Sequence, residues 1–90
     1  MARNSKWSVV RKLHKAQNPY CAACLGLKID VHHVKPVHVF PWLELDLGNL
    51  ISLCHKHCHL ILGHLGNWKL WNPRVRQVAR VLHKVKEMQI

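Results

Sequence analysis

The sequence predicts a small α+β domain in which two short strands and the neighbouring helices are held together by one structural zinc. A chain of 90 residues allows one domain, and a core this small usually needs a disulfide, a metal or a partner to stabilise it. Four cysteines fall in two close pairs, and hydrophobic residues recur with the periods of both strands and helices. We therefore treat residues 1–90 as a single domain.

Four regular elements follow from local patterns. Helices are predicted over about residues 5–17 and 73–88, and strands over residues 28–34 and 50–53. In the first strand, the hydrophobic side chains of Ile29 and Val31 alternate with polar ones, as in a half-buried strand. The first helix can be capped by Asn4 or Ser5 and ends before Pro19, because the residue that precedes a proline avoids the helical conformation.

Two less regular segments lie between these elements. Residues 38–49 contain a proline and a glycine and show no clear period, which predicts a loop. The hydrophobic run after Cys58 is interrupted by Gly63 and Gly66, which predicts a short helix that ends near one of these glycines. The middle of the chain is thus predicted to be a strand, a loop, a second strand and a short helix.

The C-terminal helix carries two stripes of different character. Asn72 can cap it, and Pro73 suits the first helical position. The hydrophobic stripe consists of Val75, Val78, Ala79, Leu82 and Val85. The basic stripe consists of Arg76, Arg80, His83 and Lys84. We expect the hydrophobic stripe to pack against the domain, while the basic stripe either follows a phosphate backbone or forms a solvated face.

The cysteines have the spacing of a zinc site, Cys21-x2-Cys24 and Cys54-x3-Cys58. No secretory signal is recognisable, so reduced thiols and a cytoplasmic location are expected. Two pairs of thiolates favour tetrahedral zinc, and four protein ligands would leave it no catalytic position. The second pair is one residue longer than the usual spacing, so His57 is an alternative to Cys58.

The charge of the chain indicates its class of partner. The chain has fourteen Lys and Arg residues but only four Asp and Glu residues, which gives a formal net charge of +10 and a pI near 10.0. This excess favours nucleic acid, with an anionic membrane surface as a weaker candidate. No stretch is long enough to span a membrane, and we expect DNA rather than a membrane as the partner.

Residues 30–37, DVHHVKPV, place two of the nine histidines next to each other. In an extended strand, adjacent side chains point to opposite faces. His32 and His33 can therefore address both faces at the end of the strand, which favours two different roles. Either histidine alone would more simply be explained as a packed strand residue.

Three segments carry a resemblance to a known family: DVHHVKP (30–36), GNLISLC (48–54) and CHLILGH (58–64). With the two cysteine pairs, they resemble the zinc-containing branch of the HNH endonucleases, the ββα-metal nucleases. PWLELDLGNLISLC and GHLGNWKLWNP are similar to segments of small bacteriophage HNH proteins. The resemblance covers about residues 19–73, and it implies a ββα-metal domain that hydrolyses phosphodiester bonds in DNA.

The resemblance also implies a role for each matching residue. His33 matches the general base that takes a proton from the attacking water, and His32 matches the neighbouring metal ligand. Asn49 matches the asparagine that keeps the base oriented, and His59 matches the last histidine, a metal ligand on the helix. The implied catalytic ion is Mg²⁺, Mn²⁺, Ni²⁺ or Zn²⁺, and imidazole ligands favour the softer ions over Mg²⁺.

Several alternatives remain open at this stage. His64 lies five residues after His59, a spacing that does not match one face of an α-helix, so it is either a further ligand or a bystander. The four tryptophans are expected in the core rather than as platforms for bases. A zinc-stabilised DNA-binding module without catalysis and an interaction domain that binds phage packaging proteins are the rival functions. The oligomeric state stays open.

Overall fold

The computed structural model describes residues 5–55 and 57–88. Its regular elements are α1 (Trp7–Gln17), β1 (Ile29–His33), β2 (Leu50–Cys54), a π-helical turn, π1 (His59–Gly63), and α2 (Val75–Met88). Residues 38–49 form a loop with two short 3-10 turns, Pro41–Leu43 and Leu47–Asn49. The predicted α+β class is confirmed, and the strands lie within one residue of their predicted ends.

The two strands form an antiparallel sheet in which Ile29 pairs with Cys54 and His33 pairs with Leu50. β2 is buried over most of its length, whereas β1 is buried only at its histidine end. The sheet therefore brings the end of β1 beside the start of β2, where Asn49 is located.

The core lies where the first cysteine pair, β2 and the start of α2 meet. Its buried members are Cys21, Ala23, Val34, Ile51, Leu53, Cys58, Val75 and Ala79. Half of these side chains are cysteine or alanine, so little hydrophobic surface is available to stabilise the domain. A metal at the cysteines would supply the stabilisation that such a core lacks.

The first helix ends as predicted but begins differently. Its last residue is Gln17, and the backbone N–H of Asn18 donates to the carbonyl of His14 at 2.8 Å. Lys6 occupies the N-cap position and makes no side-chain capping hydrogen bond, so the predicted cap at Ser5 is wrong. The other predicted cap, Asn4, lies outside the described residues.

The predicted extent of α2 is confirmed to within two residues, but the predicted packing of its hydrophobic stripe is correct only near its start. Asn72 accepts a hydrogen bond from the backbone N–H of Arg74 at 2.9 Å, as a cap does, although the regular helix begins at Val75. Val75 and Ala79 are buried, but Leu82 and Val85 are 41% and 46% exposed. The hydrophobic stripe is longer than the core beneath it, so its second half does not pack.

Two further predictions need correction. Trp42 and Trp68 are 72% and 53% exposed, so these two tryptophans do not belong to the core. Arg76, assigned to the basic stripe, donates to the backbone carbonyls of Gly48 and Leu50 and therefore braces the loop that precedes β2. None of the described helices is both long enough and apolar enough to cross a membrane.

Candidate functional site: a four-cysteine cluster and a three-histidine cleft

The four cysteines that are predicted to bind zinc lie close together. The Sγ atoms of Cys21, Cys24, Cys54 and Cys58 all lie within 4.8 Å of one another. The first pair sits in a tight turn in which Leu25 has a positive φ of 67° and donates its backbone N–H to the carbonyl of Cys21 at 3.1 Å. The second pair joins the end of β2 to the helical turn that leads into π1.

A glycine makes this cluster sterically possible. A Cβ atom at Gly26 would lie 2.9 Å from the Sγ of Cys54 and 3.4 Å from the Sγ of Cys24. Any larger residue would therefore displace the thiol of Cys54. Cys58 is buried, whereas His57 is exposed and does not belong to the cluster. The four-cysteine set is the one that the structure brings together.

The four neighbouring thiols differ in how readily they ionise. Burial raises the pKa of Cys21, but hydrogen bonds from the backbone N–H groups of Cys24 and Ala23 outweigh it and lower that pKa to about 7. Burial and the neighbouring Cys21 raise the pKa of Cys58 to about 12. Four thiolates so close together are stable only around a positive ion, and zinc suits four sulfur ligands.

A second cluster lies on the other side of π1. The ring nitrogens of His32, His59 and His64 lie within 4.8 Å of one another, and Nε2 of His59 is 3.3 Å from Nε2 of His64. His32 comes from the end of β1, and the other two come from the two ends of π1. These three nitrogens could hold a metal ion.

The π-helical geometry explains why His64 joins the cluster. A π-helix has more residues per turn than an α-helix, so residues five apart come to the same face. Gly63 allows the close packing, since a Cβ at this position would lie 3.1 Å from Cε1 and Nε2 of His32. The structure thus brings His64 into the cluster, because the helix type differs from the expected one.

Hydrogen bonds fix the orientation of these rings. Nδ1 of His59 lies 3.0 Å from Oδ2 of Asp30, and Nδ1 of His64 lies 2.7 Å from the carbonyl of Leu70. Both oxygens only accept hydrogen bonds, so each neutral ring carries its proton on Nδ1 and its lone pair on Nε2. The Nε2 atoms that face each other are therefore both able to bind a cation.

His32 is the most buried member of the three. Burial lowers its pKa to about 3, with a smaller contribution from the neighbouring histidines, so the ring is neutral. Its Nε2 is buried and makes no hydrogen bond within the described part of the chain. A buried, neutral and unsatisfied ring nitrogen that faces two others fits a metal ligand.

Asp30 is a functional candidate that the sequence reasoning missed. It binds His59, and it also binds Nδ1 of His55 at 2.9 Å. Burial raises the pKa of its carboxyl group, but the hydrogen bonds from the two histidines outweigh that effect and lower the pKa. Since Asp30 and His32 are two residues apart on β1, they share a face, and this period could have identified Asp30 from the sequence.

His33 has different neighbours from His32. Its Nε2 lies 2.9 Å from the backbone carbonyl of Glu44, and its ring stacks on that of Trp7 with centroids 4.5 Å apart. The carbonyl can only accept, so the neutral ring carries its proton on Nε2 and its lone pair on Nδ1. The two adjacent histidines therefore occupy distinct environments, as the alternation of a strand predicts.

Asn49 holds the loop that orients His33. It is buried, its Oδ1 accepts from the backbone N–H of Lys35 at 2.9 Å, and its Nδ2 donates to the carbonyl of Lys35 at 3.0 Å. A longer bond of 3.4 Å reaches the carbonyl of Leu43. Because Leu43 immediately precedes Glu44, the asparagine helps to place the carbonyl that binds His33.

One cleft of about 470 Å³ connects these features. Its lining includes His32, His33, His59 and His64, together with Trp68 and Lys69. His33 and the three-histidine cluster thus line the same space. A substrate bound there could contact both.

The chain was compared with known protein families, proteins and structures. No protein-family model, no curated protein and no solved structure matches the chain.

Proposed function

We propose that this protein is a metal-dependent DNA endonuclease with the ββα-metal arrangement of the HNH family. One observation carries the proposal: a histidine held by a backbone carbonyl and a cluster of three histidines line the same cleft. The formal charge of +10 supports a polyanionic substrate. In this arrangement, β1, β2 and π1 form the ββα unit, and the cysteines hold its structural zinc.

His33 is the general base of the proposed reaction. Its Nδ1 takes a proton from a water molecule, the water oxygen forms a bond to phosphorus, and the bond from phosphorus to one sugar oxygen breaks. The departing oxygen takes a proton from solvent. The carbonyl of Glu44 keeps the ring in the required tautomer and stabilises the imidazolium once it forms. Asn49 acts through this loop and is a positioning residue.

The three histidines fit a catalytic divalent ion. His32 and His59 are the ligands expected from the resemblance, and His64 adds a third. A bound ion would stabilise the negative charge that develops on the phosphate. Because all three candidate ligands are imidazoles, we expect Mn²⁺, Ni²⁺ or Zn²⁺ to support the activity better than Mg²⁺.

The test is the relaxation of a supercoiled plasmid by the purified protein with a panel of divalent ions. We expect His33→Ala to reduce the cleavage rate about 100-fold or more, the usual contribution of a general base, while zinc content and melting temperature stay close to those of the wild type. His59→Ala should reduce the rate and weaken its dependence on the added ion.

His83→Ala is the matched control, because His83 lies on α2, pairs with Glu87 and does not line the cleft. It should cleave at the wild-type rate. If His33→Ala cleaves as fast as the control, His33 is not the base. If the folded wild type binds DNA but cleaves none with any ion, the rival function of a binding module replaces the nuclease.

A further inference from the structure

We infer that Trp68 is a stacking platform for an unpaired base, so that the proposed nuclease acts preferentially on DNA with single-stranded or distorted sites. The inference rests on the proposed function for the cleavage step, but the binding that it requires can be measured without cleavage. It concerns the class of DNA that the cleft accepts.

The position of Trp68 is the first argument. Its ring centroid lies 5.2 Å from that of His59 and 5.0 Å from that of His64, so it borders the three-histidine cluster directly. About half of its surface nevertheless remains exposed, and it lines the cleft. An indole at this place can contact the nucleotide whose phosphate lies at the cluster.

The rigidity of the surrounding segment is the second argument. The backbone N–H of Gly66 donates to the carbonyl of Leu60, that of Leu70 donates to the carbonyl of Asn67, and that of Asn72 donates to the carbonyl of Gly63. Asn67 also accepts from the backbone N–H of Lys69 through its side chain at 3.0 Å. Trp68 is therefore held in a compact turn and needs little ordering to bind a flat ligand.

The chemistry of the cleft is the third argument. A volume of about 470 Å³ is in the range of pockets that bind small molecules, and it is adequate for one nucleotide. Lys69 lies on the same wall and can contact a phosphate, whereas Trp68 offers a π surface that any base can cover. In a duplex both faces of a base are stacked on its neighbours, so only an unpaired or displaced base can reach the indole.

The chain provides a matched control for a stacking effect. Trp42 is more exposed than Trp68, at 72%, but it contacts the ring of Phe40 and does not line the cleft. Removing either tryptophan deletes the same indole from the surface. Only Trp68→Ala should alter a base that lies next to the three histidines.

The experiment measures binding of a short fluorescent oligothymidylate and of an abasic strand of the same length, without added divalent ion. The two strands carry the same phosphates and differ only in the bases. We expect the wild type and Trp42→Ala to bind the strand with bases about ten-fold tighter or more, and Trp68→Ala to bind both strands alike. Trp68→Phe should keep part of the preference, because a phenyl ring still stacks.

Several results would overturn the proposal that Trp68 is a stacking platform. The wild type could bind both strands equally, Trp68→Ala could keep the preference, or Trp42→Ala could lose it to the same extent. Titration with Ni²⁺ separates stacking from support of the ligands: a platform leaves the Ni²⁺ affinity of Trp68→Ala within about two-fold of the wild type, whereas a large loss shows that the indole mainly supports His59 and His64.

Cleavage assays then distinguish the two proposals. We expect the wild type to cut single-stranded DNA faster than duplex DNA, and Trp68→Ala to lose that difference. A nuclease that cuts both equally, in the wild type and in Trp68→Ala, contradicts the platform and leaves the endonuclease intact. A protein that prefers the strand with bases but cuts no DNA contradicts the endonuclease and supports the platform.

Discussion

The four-cysteine cluster and the three-histidine cluster both draw residues from the strands and from the segment around π1, and they differ in how many protein ligands each would offer a metal ion. The cysteine cluster has four sulfur atoms, two of them on buried residues, and it lies beside the core. The histidine cluster has three nitrogens and opens into a cleft. A metal ion held by the first cluster would have four protein ligands, whereas one held by the second would have three and would keep positions for other ligands.

This difference predicts that a metal at the cysteines contributes to folding, whereas a metal at the histidines binds to a site that is already folded. A metal bound by the four cysteines would connect the turn at Cys21 and Cys24 to the end of β2 and the start of π1, and it would therefore contribute to folding. An open site needs ligands that are already oriented, and Asp30 and the carbonyl of Leu70 orient the rings of His59 and His64. The following predictions test this division, from the largest expected effect to the smallest.

The largest expected effect comes from removing one thiol. Cys54→Ser should unfold the domain, because structural zinc in small domains contributes about 10–16 kcal/mol and the net stability of a domain is only about 5–15 kcal/mol. His59→Ala should remain folded with one equivalent of zinc. Circular dichroism and metal analysis of both proteins check this, and a folded, zinc-free Cys54→Ser would contradict the structural role.

His57→Ala sharpens the same comparison. Since His57 is exposed and lies outside the cluster, the variant should retain its zinc and its melting temperature. Cys58→Ser should lose both. If the two results were exchanged, the fourth ligand would be His57 and the four-cysteine assignment would be wrong.

Two glycines allow each cluster to be disturbed separately. In Gly26→Ala the new methyl group would lie 2.9 Å from the Sγ of Cys54, so we expect a weakened zinc site and a clearly lower melting temperature. In Gly63→Ala the methyl group would lie 3.1 Å from Nε2 of His32, so we expect about ten-fold weaker Ni²⁺ binding with zinc retained. Equal losses of zinc in both variants would mean that the clusters are not independent.

Replacing Asp30 is expected to have a smaller effect, which is confined to the three-histidine cluster. Asp30→Ala should weaken Ni²⁺ binding about 10–100-fold, the usual effect of removing a hydrogen-bond partner of a metal ligand, without loss of zinc. His55→Ala is the control, because it removes the other partner of Asp30 and leaves the bond to His59 in place. Calorimetric titration measures both, and an unchanged affinity in Asp30→Ala would show that His59 needs no support.

The smallest expected effect separates the basic residues of α2. Replacing Arg80 and Lys84 with Gln should flatten the slope of log K against log salt by about 1–2 units if both contact phosphates. Arg76→Gln should instead lower the melting temperature by about 4–8 °C, because its bonds to the carbonyls of Gly48 and Leu50 are lost. If the double variant at Arg80 and Lys84 has the same slope as the wild type, these two residues form a solvated surface and do not contact phosphates.

Local patterns were sufficient for the elements of this fold. Alternating hydrophobic residues predicted the first strand, and the residue before Pro19 and the cap at Asn72 correctly marked helix boundaries. The cysteine spacing was also informative, because a turn of two or three residues can bring thiols together without help from distant parts of the chain. These signals act over a few residues, and neighbouring elements rarely overrule them.

The extent of burial could not be obtained in this way. The periodicity of α2 predicts a packed stripe, but how much of it packs depends on the size of the core, which ends near Ala79. The same holds for Trp42 and Trp68, whose hydrophobic character suggested burial although they lie at the surface. Periodicity states which face of a helix is apolar, not whether anything covers it.

The sequence by itself determined the α+β class, two cysteine pairs with the spacing of a metal site, and two distinct environments for His32 and His33. Only the tertiary structure decided that His64 joins His32 and His59, that Asp30 and Glu44 orient the rings, and that His33 and the three-histidine cluster line one cleft. The reason is the distance along the chain over which each kind of interaction acts. Strand alternation and turn spacing are local properties, whereas a π-helical turn and a carbonyl aimed at a ring depend on how separate segments pack together.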